Sequence, residues 1–151
     1  MIQRIQSIFL LLAGALMGVT VFSPLLTLSD STGLLTDFYS LGTGKLFDVQ
    51  YPAWGVVFIA VLGALAALIN IFLYKNRNLQ IKAGILTSLL ILFFYVTVYV
   101  YFGSYTGKYN LSFTGIRYGM ALPFIALIFN VLAVLRIKKD EKLVKSLDRI
   151  R

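Results

Sequence analysis

Four long apolar runs dominate the pattern of hydrophobic and polar positions along the chain. They cover residues 5–22, 53–74, 83–103 and 118–135, and none of them contains Asp, Glu, Lys or Arg. A helix needs about 20 apolar residues to cross roughly 30 Å of hydrocarbon, and a chain in lipid must satisfy its own backbone hydrogen bonds. The pattern therefore predicts an all-α transmembrane four-helix bundle, a single membrane domain over residues 1–151.

The ends of the runs indicate how the predicted helices are connected. The stretch Val19–Pro24 lacks the small-x-small cleavage site of a signal peptide, so the first run is interpreted as an uncleaved anchor. The second and third runs are separated by the eight residues 75–82, which makes their helices antiparallel neighbours. We expect the whole bundle to be antiparallel.

The two other connecting segments have a strand-like pattern. Residues 34–40 and 45–51 are rich in β-forming residues and flank Gly42-Thr43-Gly44, which is typical of a hairpin with a glycine turn. Residues 108–114 offer another strand. The sequence therefore predicts a small antiparallel β-sheet formed by the two extracytoplasmic loops, with disordered loops as the alternative.

The cations are distributed unequally between the two sides of the predicted bundle. Eleven of the 14 Lys and Arg residues fall on the side of the termini and of residues 75–82. By the positive-inside rule this side is cytoplasmic, and so are both termini. The same rule accounts for the net charge of +8, so we expect no nucleic-acid partner.

The basic cytoplasmic face is a candidate binding surface for anionic lipid or for another membrane protein. The residues are Arg4, Lys75, Arg77, Lys82, Lys138, Lys139, Lys142, Lys145 and Arg149. Within it, the tail 137–151 is amphipathic, with Leu143, Val144, Leu147 and Ile150 at helical spacing. The tail can lie on the anionic leaflet, dock on a protein partner or extend the fourth helix.

Missing residue types exclude much chemistry. The chain has no cysteine and no histidine, which removes thiolate nucleophiles, imidazole bases and the usual zinc and haem ligands. The predicted spans carry no ionisable group of the kind that ion-coupled transporters need at depth. We therefore expect no enzyme activity, no catalytic or metal-binding residues and no cofactor.

Polar residues inside the spans are few. Asn70 and Asn130 lie at similar depth, so they can hydrogen-bond across helices or contribute to a solute path. Tyr95 and Tyr99 share a helical face with Ser88 and Phe102, and this face is the other candidate lining. Interhelical bonding is the preferred interpretation of both sets.

Small residues at four-residue spacing indicate close helix packing. Gly14 and Gly18 lie in the first span, Gly63 and Ala67 in the second, and Gly115 and Gly119 at the start of the fourth. We expect them to pack helices of one chain together, and dimerisation is the alternative.

Aromatic residues gather near the outer boundary of the membrane. The residues are Tyr51, Trp54, Tyr99, Tyr101, Tyr105 and Tyr118. Amphipathic rings are enriched at the level of the headgroups, so an aromatic belt is the preferred interpretation. A ligand-binding aromatic cage is the alternative.

Three segments give the chain a family resemblance. The opening Met1–Ser7, the inner segment Leu73–Lys82 and the closing segment Ile137–Arg151 resemble those of a family of four-helix inner-membrane proteins from Bacteroidota, the domain of unknown function four-two-nine-three. The resemblance covers essentially the whole chain. It implies a bacterial inner membrane and four spans, and it implies no activity and no catalytic residues.

Two functional hypotheses follow from the sequence. The first is a non-enzymatic accessory or scaffolding subunit of a larger inner-membrane complex, which binds through its basic cytoplasmic face. The alternative is a passive channel or a lipid or small-solute carrier that uses Asn70, Asn130, Tyr95 and Tyr99.

Overall fold

The computed structural model describes residues 2–29, 33–45, 48–109 and 111–148, which form four long helices and one small sheet. The helices are α1 (Ile2–Phe22), α2 (Trp54–Phe72), α3 (Arg77–Tyr109) and α4 (Ala121–Asp148). Each is long and apolar enough to cross a membrane. The prediction of four helices that could each span a membrane is therefore confirmed by length and composition.

The helices pack side by side in a closed ring. Helix α1 contacts α2 and α4, and α3 contacts the same two helices. Small side chains dominate the core between them, because they let helix backbones approach closely in lipid. This core consists of Ala13, Met17, Ala64, Ala67, Ile91 and Ala126.

The connection between α2 and α3 is shorter than predicted. A 3-10 turn over Leu73–Lys75 follows α2 directly, and α3 begins at Arg77. The Asn76 carbonyl accepts a hydrogen bond from the Gln80 N–H at 3.0 Å, which closes the first turn of α3. The prediction of a connector over residues 75–82 is therefore wrong for 77–82, because a helix continues through polar residues once its backbone bonds are made.

Helix α4 continues without interruption into the predicted tail. Its 28 residues span about 42 Å, more than the roughly 30 Å of hydrocarbon. Gln6 of α1 donates a hydrogen bond to the Asp140 carboxylate and so holds the extension beside the start of α1. Of the three alternatives for the tail, helical extension is the arrangement found as far as Asp148, and residues 149–151 lie outside the described residues.

A five-stranded antiparallel sheet lies at one end of the helix bundle. Its strands are β1 (Pro24–Ser29), β2 (Leu35–Tyr39), β3 (Gly42–Lys45), β4 (Asp48–Pro52) and β5 (Ser112–Ile116). Their order in the sheet is β4-β3-β2-β1-β5, and each neighbouring pair is antiparallel. The predicted small antiparallel sheet is confirmed, although the sequence pattern does not indicate β1. The strand predicted over residues 108–114 is wrong at 108–109, where α3 continues.

The prediction of a glycine turn at residues 42–44 is wrong. Gly42, Thr43 and Gly44 lie inside β3, with φ angles of 142° at Gly42 and 123° at Gly44. The register shifts between Thr43 and Gly44, as in a β-bulge. Glycine adopts positive φ angles at little cost, so the two glycines serve the irregular strand rather than a turn.

The sheet packs against the ends of α1, α2 and α3 around a second core. Strand β1 begins where Pro24 ends α1, since proline cannot continue a helix. The core joins β1 and β2 residues to helix residues, and its members include Leu25, Leu28, Phe38, Val56, Phe94 and Val98. We call this part of the molecule the sheet end, and we call the opposite end, with residues 75–82 and 136–148, the basic end.

Candidate functional site

A buried polar cluster joins α2, α3 and α4 about one turn inside the basic end. The Asn130 side-chain amide donates to the Gly84 carbonyl at 2.7 Å and to Ser88 Oγ at 2.8 Å. Ser88 in turn donates to the same Gly84 carbonyl at 3.1 Å. Asn130 is fully buried, so these bonds connect α4 to the backbone of α3 inside the membrane-spanning region.

Asn70 belongs to the same cluster through its backbone. Its carbonyl accepts a hydrogen bond at 3.3 Å from the side chain of Gln80, which is also buried. The side-chain amide of Asn70 is fully buried, and neither its nitrogen nor its oxygen has a hydrogen-bond partner among the described residues. The Asn130 side-chain oxygen is likewise buried and has no hydrogen-bond partner among the described residues. The interhelical bond of Asn130 is thus made to α3 rather than to Asn70.

Close packing surrounds the cluster at Gly84. A β-carbon built on Gly84 would overlap the Val134 side chain of α4 and would lie 3.4 Å from Asn70 Nδ2. The absence of a side chain also leaves the Gly84 carbonyl accessible to Asn130. Glycine therefore lets α3 pack closely against α4 at this position.

The two tyrosines predicted to share a lining face differ in burial. Tyr95 is half-buried, and its hydroxyl donates at 2.8 Å to the Met120 carbonyl. Tyr99 has 75% of its surface exposed and points away from the bundle. The structure brings Ser88 and Asn130 together, but it does not bring Tyr99 to them.

The small residues differ in how closely they pack. A β-carbon at Gly14 would lie 2.9 Å from Leu68, and one at Gly63 would lie 3.0 Å from Met17, so both glycines line the contact of α1 with α2. Ala67 is fully buried in the same core. At Gly18 no atom of the described residues comes within 4 Å of the built position. A β-carbon at Gly119 would overlap the Pro24 carbonyl, whereas one at Gly115 meets no described atom within 4 Å. Of the predicted glycines, Gly14, Gly63 and Gly119 therefore pack closely within the chain.

The predicted aromatic belt divides into two groups. Trp54, Tyr99 and Tyr118 have 72%, 75% and 66% of their surface exposed, as expected for rings that face headgroups. Tyr51 and Tyr101 are partly buried and Tyr105 is buried. These three pack with Tyr109 at the sheet end, where the rings of Tyr51 and Tyr109 stack at 3.8 Å between centroids.

Two hydroxyls fix this tyrosine cluster to the start of α2. Tyr105 donates to the Pro52 carbonyl at 2.9 Å, and the Tyr101 hydroxyl accepts a hydrogen bond from the Gly55 N–H at 3.2 Å. Tyr101, Tyr105 and Tyr109 recur every four residues along α3. This four-residue spacing indicates that the three rings share one helical face. The interpretation as an aromatic belt does not account for it.

The cluster borders an open pocket of about 400 Å³, which we call the tyrosine pocket. Lys108 contributes the charge, and its ammonium lies 5.6 Å from the centroid of the Tyr109 ring. Such a cation–π contact keeps the ammonium near the rings. The pocket is lined by Pro52, Val100, Tyr101, Ser104, Tyr105, Lys108 and Tyr109.

A second charged group at the sheet end is bound into the fold. Arg117 Nε donates to Thr27 Oγ1 at 2.7 Å and to Asp37 Oδ1 at 3.2 Å, and Thr27 donates to the same carboxylate oxygen at 2.9 Å. The three residues connect the end of β5 to the β1–β2 pair. Arg117 and Asp37 form a partly exposed ion pair at this junction.

At the basic end, a shallow cavity of about 400 Å³ lies beside the α2–α3 connection. It is lined by Lys75, Asn76, Arg77, Asn78, Leu79 and Glu141. Ammonium, guanidinium and amide groups all donate hydrogen bonds to anions, and Glu141 supplies one carboxylate. The cavity joins two segments that are far apart in sequence.

The predicted cations are placed as follows. The exposed ones are Lys75, Arg77, Lys82, Lys138, Lys139 and Lys142. Arg4 lies in α1 and Lys145 in α4, but their side chains are outside the described part of the chain, as is the whole of Arg149. The structure thus brings the α2–α3 connection and the α4 extension to one end of the bundle.

No curated protein matches the chain. A family model described as Domain of unknown function (DUF4293) matches residues 2–150, a range that includes all four helices and all five strands. The family resemblance of the terminal and inner segments is confirmed. By this match the chain belongs to the DUF4293 family.

Proposed function

We propose that this protein is a non-enzymatic subunit of a bacterial inner-membrane complex, with both termini in the cytoplasm. Its role is accessory or scaffolding, and its partner binds at the basic end. The positive-inside rule supports the orientation, because the exposed lysines and arginines concentrate at the end opposite the sheet. The family resemblance supports the bacterial inner membrane.

The observation that carries the proposal is the unbroken extension of α4. Residues 136–148 continue the membrane helix past the hydrocarbon and present exposed Lys138, Lys139 and Lys142. On the same extension, Leu143 and Val144 have 52% and 43% of their surface exposed. Exposed apolar side chains on a segment outside the apolar spans fit a protein-binding surface.

The direction of the extension favours a protein partner over the leaflet surface. A helix that binds the surface lies in the plane of the interface with its apolar face in the headgroups. Helix α4 is continuous with its own membrane span, and the Gln6–Asp140 bond holds it beside α1. It therefore projects along the bundle instead of lying in the plane of the membrane surface.

Affinity purification from native membranes tests the proposal. The tagged wild-type chain, in mild detergent, is expected to recover one protein in stoichiometric amount. Replacing Lys138, Lys139 and Lys142 together by Gln should lower that recovery about tenfold, the ratio that corresponds to 1.4 kcal/mol. Recovery of no stoichiometric protein by the wild type would contradict the proposal.

A matched variant distinguishes loss of charge from loss of the helix. The same three lysines replaced by Arg keep the charge and the helix propensity. This variant should recover the partner as the wild type does. Equal loss in the Arg and Gln variants would show that the partner does not respond to the basic charge.

Single cysteines test the orientation, since the chain has none of its own. We expect Thr114→Cys, on the exposed strand β5, to react with an impermeant maleimide in cells with a permeabilised outer membrane. Lys139→Cys should react only after the inner membrane is opened. The reverse pattern would place the sheet in the cytoplasm.

A passive channel or solute carrier is the second candidate. In its favour, three polar atoms of Asn70 and Asn130 lie buried without hydrogen-bond partners among the described residues. Against it, Val134 fills the space at Gly84, and Tyr99 faces outward. Proteoliposomes should release a trapped small solute no faster than empty vesicles, and faster release that Asn130→Leu abolishes would favour the channel.

A further inference from the structure

An apolar groove runs along the lipid-facing surface between α2 and α3 at the sheet end. It encloses about 320 Å³. Phe58, Phe93 and Val96 have more than half of their surface exposed, so the groove opens toward the bilayer. The groove is lined by Gly55, Phe58, Ile59, Phe93, Val96, Thr97 and Val100.

The groove adjoins the tyrosine pocket. Val100 lines both of them. Tyr101 of the pocket contacts Gly55 of the groove, because its hydroxyl accepts the Gly55 N–H and a β-carbon there would lie 2.9 Å from the phenolic oxygen. An apolar space and a polar space thus lie next to each other along α3.

The polar groups of the pocket suit an anion. Lys108 supplies a positive charge near the Tyr109 ring. Tyr101 accepts a hydrogen bond through its oxygen, so its O–H can donate to a ligand oxygen. Between residues 49 and 139 the sequence contains no Asp or Glu, so the charge along α2 and α3 is entirely positive.

We propose that this composite site binds one phospholipid with an anionic headgroup. An acyl chain occupies the apolar groove, and the headgroup lies in the tyrosine pocket beside Lys108 and Tyr101. A polar pocket next to an apolar groove matches a molecule whose charged group is linked to a hydrocarbon chain. A helix from a second copy would fill the groove but leave Lys108 without a counter-charge, since the membrane spans carry no acidic residue.

Native mass spectrometry of the purified protein tests the headgroup contact. Phosphatidylglycerol and phosphatidylcholine with identical acyl chains are added in equal amounts. The wild type is expected to retain one phosphatidylglycerol, and Lys108→Gln should lower this preference about fivefold, as about 1 kcal/mol per basic residue implies. Lys108→Arg should keep it. Equal retention of both lipids by the wild type would overturn the proposal.

A substitution in the groove tests the acyl-chain contact. Val96→Trp fills the groove and should displace the bound lipid, whereas Leu92→Trp, one turn away on α3 and outside the groove lining, should not. Both positions are exposed, so neither change should unfold the protein. Identical lipid retention by the two variants would contradict the placement of the acyl chain.

A single cysteine tests the competing occupant. With Val96→Cys as the sole cysteine, we expect no disulfide-linked dimer under oxidation in native membranes. Efficient dimer formation would overturn the lipid proposal and would assign the groove to an interface between two copies of the chain.

Discussion

The two ends of the bundle use their charged groups differently. At the sheet end, Arg117 bonds with Asp37 and Thr27, and its charge connects strands. At the basic end, Lys138 and Lys139 are exposed on a helix that extends beyond the hydrocarbon. The comparison shows that Arg117 is bonded within the fold, whereas Lys138 and Lys139 remain exposed, which is why we propose the basic end as the protein-binding surface.

The largest expected effect is that of a substitution at Gly84. It tests whether the interior of the bundle at the basic end is tightly packed, although the surface there carries exposed side chains. Gly84→Ala places a methyl group against Val134, and overpacking of this kind costs about 1–3 kcal/mol. Gly103→Ala is the matched control on the same helix, because its built β-carbon meets no described atom within 4 Å. It should leave stability unchanged or raise it by up to about 1 kcal/mol.

Denaturant unfolding in detergent micelles, followed by circular dichroism, measures both variants. A loose interior at the basic end would give the same stability for Gly84→Ala and Gly103→Ala. That result would remove the contrast between a packed interior and an open surface.

The next effect compares the two buried asparagines. Asn130→Leu removes two hydrogen bonds to α3, which we expect to cost about 0.6–2 kcal/mol. Asn70→Leu removes no side-chain bond to a described residue and relieves two buried polar atoms, so its effect should be near zero or stabilising. The same unfolding assay measures both, and a larger loss in Asn70→Leu would show that its amide has an essential partner.

A smaller effect tests the sheet end. Tyr105→Phe loses the hydrogen bond to the Pro52 carbonyl and should cost about 1 kcal/mol. Tyr99→Phe is the control, because that hydroxyl lies on an exposed ring. Fluorescence of Trp54, the single tryptophan, reports on this end of the molecule during unfolding. Equal stability of the two variants would argue that the tyrosine cluster does not hold α2 to α3.

The smallest effect concerns the partly exposed ion pair of the sheet. Asp37→Asn should cost less than about 1 kcal/mol, and added salt should shrink the difference from the wild type. Thermal unfolding at low and high salt measures it. A loss that salt does not change would indicate that the hydrogen bond from Thr27, rather than the charge, is what matters.

The four spans could be predicted because a single physical requirement, the exclusion of charge from hydrocarbon, governs residues 5–22, 53–74, 83–103 and 118–135. The bounds of α3 and α4 could not, because helices continue beyond the apolar window through residues such as Arg77 and Lys142. The apolar composition of a segment predicts which part of a helix can lie in lipid, but it does not predict where the helix begins and ends.

The sheet and the polar cluster show why the remainder escaped prediction. Strand β1 is central and buried at four of six positions, so it lacks the alternation that marks a half-exposed strand. Asn130 was expected to face Asn70, but the bare Gly84 carbonyl offers a closer acceptor on α3. Which polar groups contact each other across helices depends on small residues such as Gly84. Their role can be recognised only when the packing of the helices is known.

Crosslinking mass spectrometry on native membranes tests the central claim, that the basic end is the docking surface, most directly. One experiment samples both ends, because Lys75, Lys82, Lys138, Lys139 and Lys142 lie at the basic end and Lys108 at the sheet end. We expect reproducible crosslinks from the basic-end lysines to one partner protein, and none from Lys108 to it. Partner crosslinks from Lys108 alone would contradict the account.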